Sequence, residues 1–286
     1  MNALYKAIGI SKQAAHQYQQ RQTVVDQKTA ILLQDAQELR REHPGCGVEK
    51  MYYTLRPDFL GRDRFIELFM DLGLRLAYKK NYRRTTFCGS IYYPNLIKGY
   101  SVSTPNTIWQ TDITYIYVKQ EDKFYYAVFI IDVYTKKIVG HKVSGHMRAT
   151  ANKEALLEAI KDNGCPRIHH SDRGSQYSSL EYTQLLKSNN IDISMALSAQ
   201  DNAYAERVNK TIKEEYLDYW KPKNYSQLKS CVAKAVTHYN TKRKHNHLDR
   251  IAPADFETMW YKNELKTKPI FSIFDKENNL KTVNTI

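Results

Sequence analysis

Cysteine is scarce in this chain of 286 residues, and its few cysteines are widely separated. The four are Cys46, Cys88, Cys165 and Cys231, with no CxxC pair and no His/Cys cluster at the spacing of metal ligands. Structural zinc sites need such groupings, and disulfide frameworks are typical of short secreted chains that are much denser in cysteine. The pattern argues against a structural zinc site and predicts reduced thiols in a cytoplasmic protein.

Long apolar runs are also missing. No stretch approaches the ~20 consecutive apolar residues that a membrane-spanning helix needs. The first residues lack the charged and apolar regions of a secretory signal peptide. We therefore expect a protein with no membrane partner that stays in the cytoplasm.

Acidic residues are outnumbered: 30 Asp and Glu stand against 43 Lys and Arg, which gives a formal net charge of +13. Such an excess favours a polyanionic partner, because each phosphate contact releases counterions and adds sequence-independent affinity. A basic but otherwise ordinary soluble protein is the alternative. The length allows one large domain or two to three small ones.

Among the acids, Asp172 has a distinctive setting, in the stretch from Arg167 to Tyr177. A short β-type run stops at Ser171, and Gly174 supplies a turn, so a strand end would present the Asp172 carboxylate. An Asp at a strand end is usually a cap or a turn former. This residue alone therefore does not establish a catalytic site.

A second acid, Asp112, lies inside a run from Trp109 to Val118 that is rich in β-branched and aromatic residues. Such a run predicts a strand, whose alternation places Asp112, Thr114 and Ile116 on one face. A carboxylate in mid-strand loses solvation energy unless a partner compensates for it. A metal ion is a natural partner.

The third acid, Glu206, lies early in a predicted helix that opens at Asp201 and Asn202, with Asp201 as a reasonable N-cap. Two Asp and one Glu on two strands and a helix could hold two divalent ions about 3.5–4 Å apart, an arrangement suited to in-line attack at phosphodiesters.

Five pieces of the chain, spanning residues 107 to 256, carry a family resemblance. They are Trp109-Gln-Thr-Asp112-Ile-Thr-Tyr115, Ile131-Asp132-Val133, His170-Ser-Asp172-Arg-Gly-Ser-Gln-Tyr177, Asp201-Asn-Ala-Tyr-Ala-Glu206, and Tyr239-Asn240 followed by Arg243, His245, Leu248 and Pro253. In this order they resemble the DDE transposases of bacterial insertion sequences, with a retroviral-integrase-like core. Within that family the chain is most similar to the second-frame OrfB-type protein of the insertion-sequence-three group.

The resemblance implies that Asp112, Asp172 and Glu206 are both the catalytic residues and the ligands of two Mg²⁺ ions, with Mn²⁺ as a substitute. It implies nicking at the element ends and strand transfer from the freed 3′-OH. The implied partners are double-stranded DNA carrying the terminal inverted repeats, target DNA, further copies of the chain and an upstream-frame OrfA-type protein. The implied location is the bacterial cytoplasm, in association with the nucleoid.

One spacing departs from the family pattern. The family usually has 35 residues between the second Asp and the Glu, whereas 33 residues separate Asp172 from Glu206 here. The shortfall falls near Ser198, in a segment that we expect to be a loop, and loops tolerate deletions. Glu214 and Glu215, further along the same helix, are the fallback third acids.

Two other functions stay open at this point. A metal-dependent nuclease of the ribonuclease-H-like class would hydrolyse nucleic acid without joining strands. A catalytically silent DNA-binding protein derived from a transposase would keep the fold without the chemistry. All three acids are present in this chain, which favours an active enzyme.

Pattern and resemblance together predict an α/β fold: a ribonuclease-H-like, retroviral-integrase-like core preceded by an all-α, helix-turn-helix-like region. Three strands, from Trp109, Lys123 and Lys136, should be followed by alternating helices and strands. The predicted domains are a helical DNA-binding region (1–78), a basic linker (79–106), the catalytic core (107–260) and a C-terminal tail (261–286).

In the helical region we predict short helices at Ala3–Ile8 and Lys12–Gln20, with Ser11 as a cap, and a longer helix from Thr23 to His43. A further pair follows at Val48–Leu55 and Arg62–Leu72. Its second helix should turn Phe65 and Phe69 toward a core and leave its polar face for DNA.

The predicted DNA contacts fall into three basic groups, each of which could instead be a solvated surface. They are Lys79, Lys80, Arg83 and Arg84 in the linker; Asn209, Lys210 and Lys213 on the Glu206 helix; and Lys242, Arg243, Lys244 and His245 in a late loop. For Asp132 we favour a structural role over that of a fourth ligand. His169 and His170 could lie beside the metal or make local hydrogen bonds.

Overall fold

The computed structural model describes residues 11–76 and 92–273, which belong to two separate compact units. The predicted helix Ala3–Ile8 and the predicted DNA contacts Lys79, Lys80, Arg83 and Arg84 lie outside the described residues. Each unit is described by itself below.

The first unit begins with one long helix, α1 (Lys12–Glu42). Ser11 caps it as predicted, since its side-chain oxygen accepts a hydrogen bond from the Ala14 N–H at 3.0 Å. The prediction of two separate helices in this segment is wrong. Only Arg21 and Gln22 lie between the two predicted segments, and both are good helix formers, so nothing stops the first helix from continuing.

Two shorter helices, α2 (Val48–Leu55) and α3 (Arg62–Phe69), complete this unit, and a π-helical turn, Met70–Leu74, follows α3. Gly73 in that turn has a φ of 84°, a conformation that glycine adopts without strain. Phe65 and Phe69 are fully buried, as predicted, and their rings stack with centroids 4.0 Å apart. The core also contains Met51 of α2.

The second unit is an α/β structure. Its elements in chain order are β1 (Ser101–Val102), β2 (Ile108–Val118), β3 (Lys123–Asp132), β4 (Ile138–Ser144), α4 (Ala149–Asn163), β5 (Ile168–Ser171), α5 (Leu180–Ser188), β6 (Asp192–Met195), α6 (Ala203–Ile212), α7 (Tyr225–Thr241), α8 (Pro253–Tyr261) and β7 (Phe271–Ser272). A π-helical turn, Lys213–Leu217, and a last helical turn, Asp218–Trp220, extend α6.

Five strands form the central sheet in the order β4-β3-β2-β5-β6. Strands β2, β3 and β4 pair antiparallel, β5 pairs in parallel with β2, and β6 pairs in parallel with β5. This is the predicted succession of three strands followed by alternating helices and strands. The prediction of a ribonuclease-H-like α/β core is confirmed.

Helices cover both faces of the sheet. On one face Ile116 and Phe129 pack against Val208 of α6 and Val232 of α7. On the other face Ile130 packs against α4 and α5. Gly140 in β4 lets α4 approach closely, because a Cβ there would lie 2.6 Å from the Ala155 carbonyl oxygen. The Asp112 face of β2 therefore looks toward α6 and α7.

The predicted linker and tail both contribute to this unit. Ser101 pairs with Ser272 and Val102 with Phe271 in an antiparallel ribbon of β1 and β7. The buried Lys136 ammonium lies 3.9 Å from the ring centroid of Phe271 and 4.0 Å from that of Tyr204. In the described residues, the end of the predicted linker and the start of the predicted tail are thus packed parts of the second unit.

No helix within residues 11–76 and 92–273 is long and apolar enough to cross a membrane.

Candidate active site

Strand register brings Asp112 and Asp172 to adjacent positions. β2 and β5 run in parallel, and the last pair of their ladder is Thr111 with Ser171. Asp112 and Asp172 are the next residues of the two strands. β5 ends there while β2 continues to Val118, so both carboxyl groups lie at the C-terminal end of β5. The two predicted acids are brought together.

Two hydrogen bonds hold the Asp112 carboxylate. Its Oδ1 accepts from the Ile113 N–H at 2.8 Å, and its Oδ2 accepts from the Asn209 side chain on α6 at 2.9 Å. Burial, followed by the charges of Asp172 and Glu206, raises the pKa of Asp112 to about 7. All three predicted acids therefore act on one another electrostatically.

Asp172 is fixed by the turn that follows it. Its Oδ1 accepts from the Gly174 N–H at 3.0 Å. A Cβ on Gly174 would lie 2.9 Å from this same oxygen, so the carboxylate uses the space that glycine leaves free. Burial also raises the pKa of Asp172. The Gly174 turn was visible in the sequence; its close approach to the carboxylate was not.

Glu206 lies on the first turns of α6, on the side of Asn209 one turn later. Its side chain is exposed, and burial together with the Asp172 charge raises its pKa. Asp201 is not the predicted N-cap of this helix. Its carboxylate instead accepts from the Leu197 and Ser198 N–H groups, in a capping box that begins a 3₁₀ turn, Ala199–Asn202.

The fallback acids have other partners. Arg243 donates two hydrogen bonds to Glu215, at 2.7 and 2.8 Å, and Glu214 lies 3.9 Å from the Lys210 ammonium. The Glu206 charge, in contrast, acts on Asp112. This difference favours Glu206 as the third acid.

These residues fit a hard divalent cation. Carboxylate oxygens are its preferred ligands, and clustered acids with raised pKa values are relieved by positive charge. Within the part of the chain that the structure describes, however, no three His, Cys, Asp or Glu side chains lie close enough together to ligate one ion. Asp112 and Asp172 form the fixed part of the site, and Glu206 stands at its exposed side.

Two residues predicted to contact DNA have partners inside the protein. Asn209 is buried and donates its hydrogen bond to Asp112, so its side chain belongs inside the site. Arg243 is also buried, only 6% exposed, and its guanidinium is bonded to Glu215. A basic loop suggested DNA contact for Arg243, but its charge is already compensated within the protein.

The other predicted contacts of this unit lie at or near the surface. Lys210 and Lys242 are exposed, whereas Lys244 and His245 are partly buried. Lys213 is partly buried too. Burial lowers the pKa of Lys213, and the charges of Asp218 and Asp112 oppose that effect. Lys213 is thus within electrostatic reach of the acids.

Three polar residues near the sheet ends have structural partners. Asp132 is buried and accepts hydrogen bonds from the Thr135 backbone and hydroxyl groups, which supports the structural role favoured for it. His169 bonds to the Tyr182 hydroxyl and His170 to the Ser194 hydroxyl. Both histidines therefore make the local hydrogen bonds that were one of the two interpretations.

Sequence reasoning missed the buried side chains that tie α6 to β2. Asn209 was assigned to a DNA-binding stripe, although its position three residues after Glu206 also places it one turn along the same face. Gln110 and Asn202 were noted only as parts of motifs. Their contacts join residues more than 90 positions apart, which no local pattern indicates.

Comparisons with known proteins agree with this architecture. An Integrase core domain family matches residues 102–199, and a second family of the same description matches residues 190–253. The transposase for insertion sequence element IS904 of Lactococcus lactis is 36% identical over 191 residues, covering 65% of this chain and 74% of that protein. The IS600 uncharacterized 31 kDa protein of Shigella sonnei is 32% identical over 210 residues, covering 71% and 76%.

Solved structures include the HTLV-2 integrase catalytic core domain in complex with magnesium. It aligns with 54% of this chain and 97% of that chain, at 22% identity and a TM-score of 0.46.

Proposed function

The chain belongs to the family of insertion-sequence transposases with an integrase core domain, and from that premise we propose that Asp112, Asp172 and Glu206 form its catalytic centre. Membership makes the protein a DNA transposase of the DDE type, a polynucleotidyl transferase. The observation that supports the assignment is the electrostatic coupling of these acids at the end of β5, with the pKa of Asp112 raised to about 7.

The proposed cofactor is Mg²⁺, replaceable by Mn²⁺, with two ions per site. When bound, such ions supply Lewis-acid activation of the attacking oxygen and stabilise the charge on the leaving oxygen. Asp112 and Asp172 would bind from the sheet and Glu206 from α6. Asn209 orients the Asp112 carboxylate through its hydrogen bond, and the Gly174 N–H does the same for Asp172.

The proposed reaction has two steps. Water first hydrolyses a phosphodiester at each element end and frees a 3′-OH. That hydroxyl then attacks a phosphodiester of the target. A P–O bond to the element's 3′ oxygen forms as the P–O bond to the 3′ oxygen of the target strand breaks, which leaves a 3′-OH on the target. Because the carboxylates act as ligands, we expect no covalent intermediate between protein and DNA.

The proposed DNA contacts outside the acids are Lys210, Lys213, Lys242, Lys244 and His245, together with Lys79, Lys80, Arg83 and Arg84. Phosphate contacts from such cations supply affinity without sequence specificity. We assign recognition of the terminal repeats to the helical first unit. We further propose action as a homo-oligomer on paired ends, with an OrfA-type partner, on the nucleoid in the bacterial cytoplasm.

A strand-joining assay tests the proposal. The protein is incubated with Mg²⁺ or Mn²⁺, a labelled element end that already carries its 3′-OH, and a target plasmid, beside Asp172→Asn. We expect metal-dependent joined product from the wild type and none from the variant. Hydrolysis without joining would indicate a nuclease, and binding without either reaction would indicate a silent DNA-binding protein.

A further inference from the structure

Two buried amide side chains connect the start of α6 to β2. Gln110 of β2 accepts a hydrogen bond at Oε1 from the Tyr204 N–H at 3.1 Å. Its Nε2 donates to the Asp201 carbonyl oxygen at 3.2 Å. One side chain thus satisfies a backbone donor in the first turn of α6 and an acceptor in the 3₁₀ turn before it. Helix starts leave such N–H groups without intrahelical partners.

Asn202 makes the reverse connection. It occupies the N-cap position of α6, yet its side chain makes no capping hydrogen bond. Its Nδ2 donates instead to the Thr111 carbonyl oxygen on β2, at 2.9 Å. Asn is among the preferred N-cap residues, so this side chain forgoes its usual local bond for a contact across the site. We call Gln110 and Asn202 the amide bridge.

The amide bridge joins β2 to the start of α6, close in sequence to Asp112 on one side and to Glu206 on the other. Its anchors on β2, residues 110 and 111, immediately precede Asp112. Its anchors at the helix start, residues 201 to 204, lie two to five positions before Glu206. A change in the bridge would therefore displace Glu206 relative to Asp112.

Glu206 depends on its helix for its position more than the other acids do. Asp112 and Asp172 each accept a backbone N–H within two residues, whereas in the described part of the chain no hydrogen bond fixes the Glu206 carboxylate. The apolar contacts of α6 through Val208 and Ile212 are not directional, so they hold the helix on the sheet without setting its register. Asn209 and the amide bridge supply hydrogen bonds from α6 and its start to β2, and these are directional.

We propose that Gln110 and Asn202 are positioning residues that set the place of Glu206 against Asp112 and thereby the affinity of the site for divalent cations. This inference rests on the proposed function, because it requires Glu206 to be a ligand. Groups that orient ligands typically change metal affinity by about 10–100-fold when they are removed. The amide bridge would change metal affinity in the same way, although it bonds to the backbone of β2 and of the helix start and not to a ligand side chain.

The test measures Mn²⁺ binding to the full chain without DNA, by electron paramagnetic resonance of the free ion. The variants are Gln110→Met, which keeps the length of the side chain and removes both hydrogen bonds, Asn202→Ala, and the double variant. We expect each single change to weaken Mn²⁺ binding about 10-fold. The double variant should be only slightly weaker than either, because both act through one helix start.

Asn240 offers a matched control. Its side chain also bridges a backbone donor and acceptor, since it bonds the Ile138 N–H and the Ile138 carbonyl oxygen, both at 2.9 Å. This bridge joins α7 to β4, away from the acids. Asn240→Ala should lower the melting temperature as the bridge variants do and leave Mn²⁺ affinity unchanged.

Two further results separate failure of the inference from failure of the proposed function. Should wild-type binding of Mn²⁺ be the same in Asp112→Asn, the acids are not a metal site and both proposals fall. Should binding depend on Asp112 while Gln110→Met and Asn202→Ala bind as tightly as wild type, only the amide bridge is refuted. Circular dichroism checks that each variant is folded. If Gln110→Met is not, Asn202→Ala decides alone.

Discussion

At the scale of single residues, the acids of this site weaken the fold that carries them. The pKa of Asp112 is raised to about 7 in the folded protein, by burial and by the Asp172 and Glu206 charges, while an unfolded Asp titrates near 3.9. A raised carboxyl pKa means that ionisation favours the unfolded chain. Without metal, the free energy of unfolding should therefore fall as pH rises from about 4 to about 7, and stay low above that.

Replacing this acid by its amide tests the electrostatic account. Asp112→Asn removes the charge and keeps the shape; its amide oxygen can still accept from the Ile113 N–H, and the Asn209 amide can turn over so that its Oδ1 accepts from the new NH2 group. It should therefore raise the free energy of unfolding of the metal-free protein at pH 8 by about 1–3 kcal/mol. Urea denaturation in a chelator measures the change. At pH 4, where the wild-type carboxyl is protonated, the two proteins should be equally stable. A variant that is less stable at pH 8 would contradict the raised pKa.

Asn209 provides a second prediction at this scale. Its hydrogen bond favours the ionised form of Asp112, so Asn209→Leu should raise the pKa of Asp112 further. Metal-dependent cleavage at pH 7 should fall by about 10–100-fold and recover in part at pH 8.5. The pH profile of cleavage measures this. A uniform loss at all pH values would mean that Asn209 acts only through packing.

At the scale of elements, the turn after β5 needs glycine at position 174, because a side chain there would collide with Asp172. Gly174→Ala would place a Cβ 2.9 Å from an Asp172 oxygen and from Gln176 Oε1. Gln176 can swing aside, but Asp172 must leave its position. We expect cleavage to fall by at least about 10-fold with little change in melting temperature. Gly145→Ala, whose added Cβ would meet its nearest atom at 3.9 Å, should leave both unchanged. Equal activity of the two variants would contradict this account.

The cations of the late basic loop are expected to have different roles: Arg243 stabilises the fold, whereas Lys242 and Lys244 are predicted to bind DNA. Arg243→Met removes the two hydrogen bonds that Arg243 donates to the largely buried Glu215, and should destabilise the fold by about 1.5–3 kcal/mol. Lys242→Gln and Lys244→Gln should keep the stability. Each should instead lower the slope of log affinity for DNA against log salt concentration by about 1. Thermal unfolding and binding titrations at several salt concentrations give both quantities.

Local sequence patterns predicted most of the elements and the strand positions of two of the acids. Alternation predicted the face of β2 that carries Asp112, and a β-type run with a glycine turn predicted the end of β5 at Asp172. The partners of these acids were harder to predict. Arg243 and Glu215 lie 28 positions apart, and Gln110 and Asp201 lie 91 apart, so only the packed structure reveals their contacts.

At the scale of the whole molecule, the chain combines a helical unit, an integrase-type core and an excess of positive charge of +13. The composition alone gives the charge, and the family explains it, because transposases act on DNA. The end of the predicted linker and the start of the predicted tail belong to the core unit, because β1 pairs with β7. A truncation after residue 260 would remove β7 and uncover Val102, so activity should be tested on the full chain.

The most direct measurement of the central claim is cleavage of labelled duplexes that carry the element's own terminal repeats, in Mn²⁺ or Mg²⁺. Wild type, Asp112→Asn, Asp172→Asn and Glu206→Gln are compared, with Glu214→Gln as the matched control on the extension of the same helix. We predict metal-dependent nicking by wild type and Glu214→Gln, and none by the other three. Full nicking by Glu206→Gln, or its loss in Glu214→Gln alone, would contradict the assignment of the third acid, and nicking by Asp172→Asn would contradict the site itself.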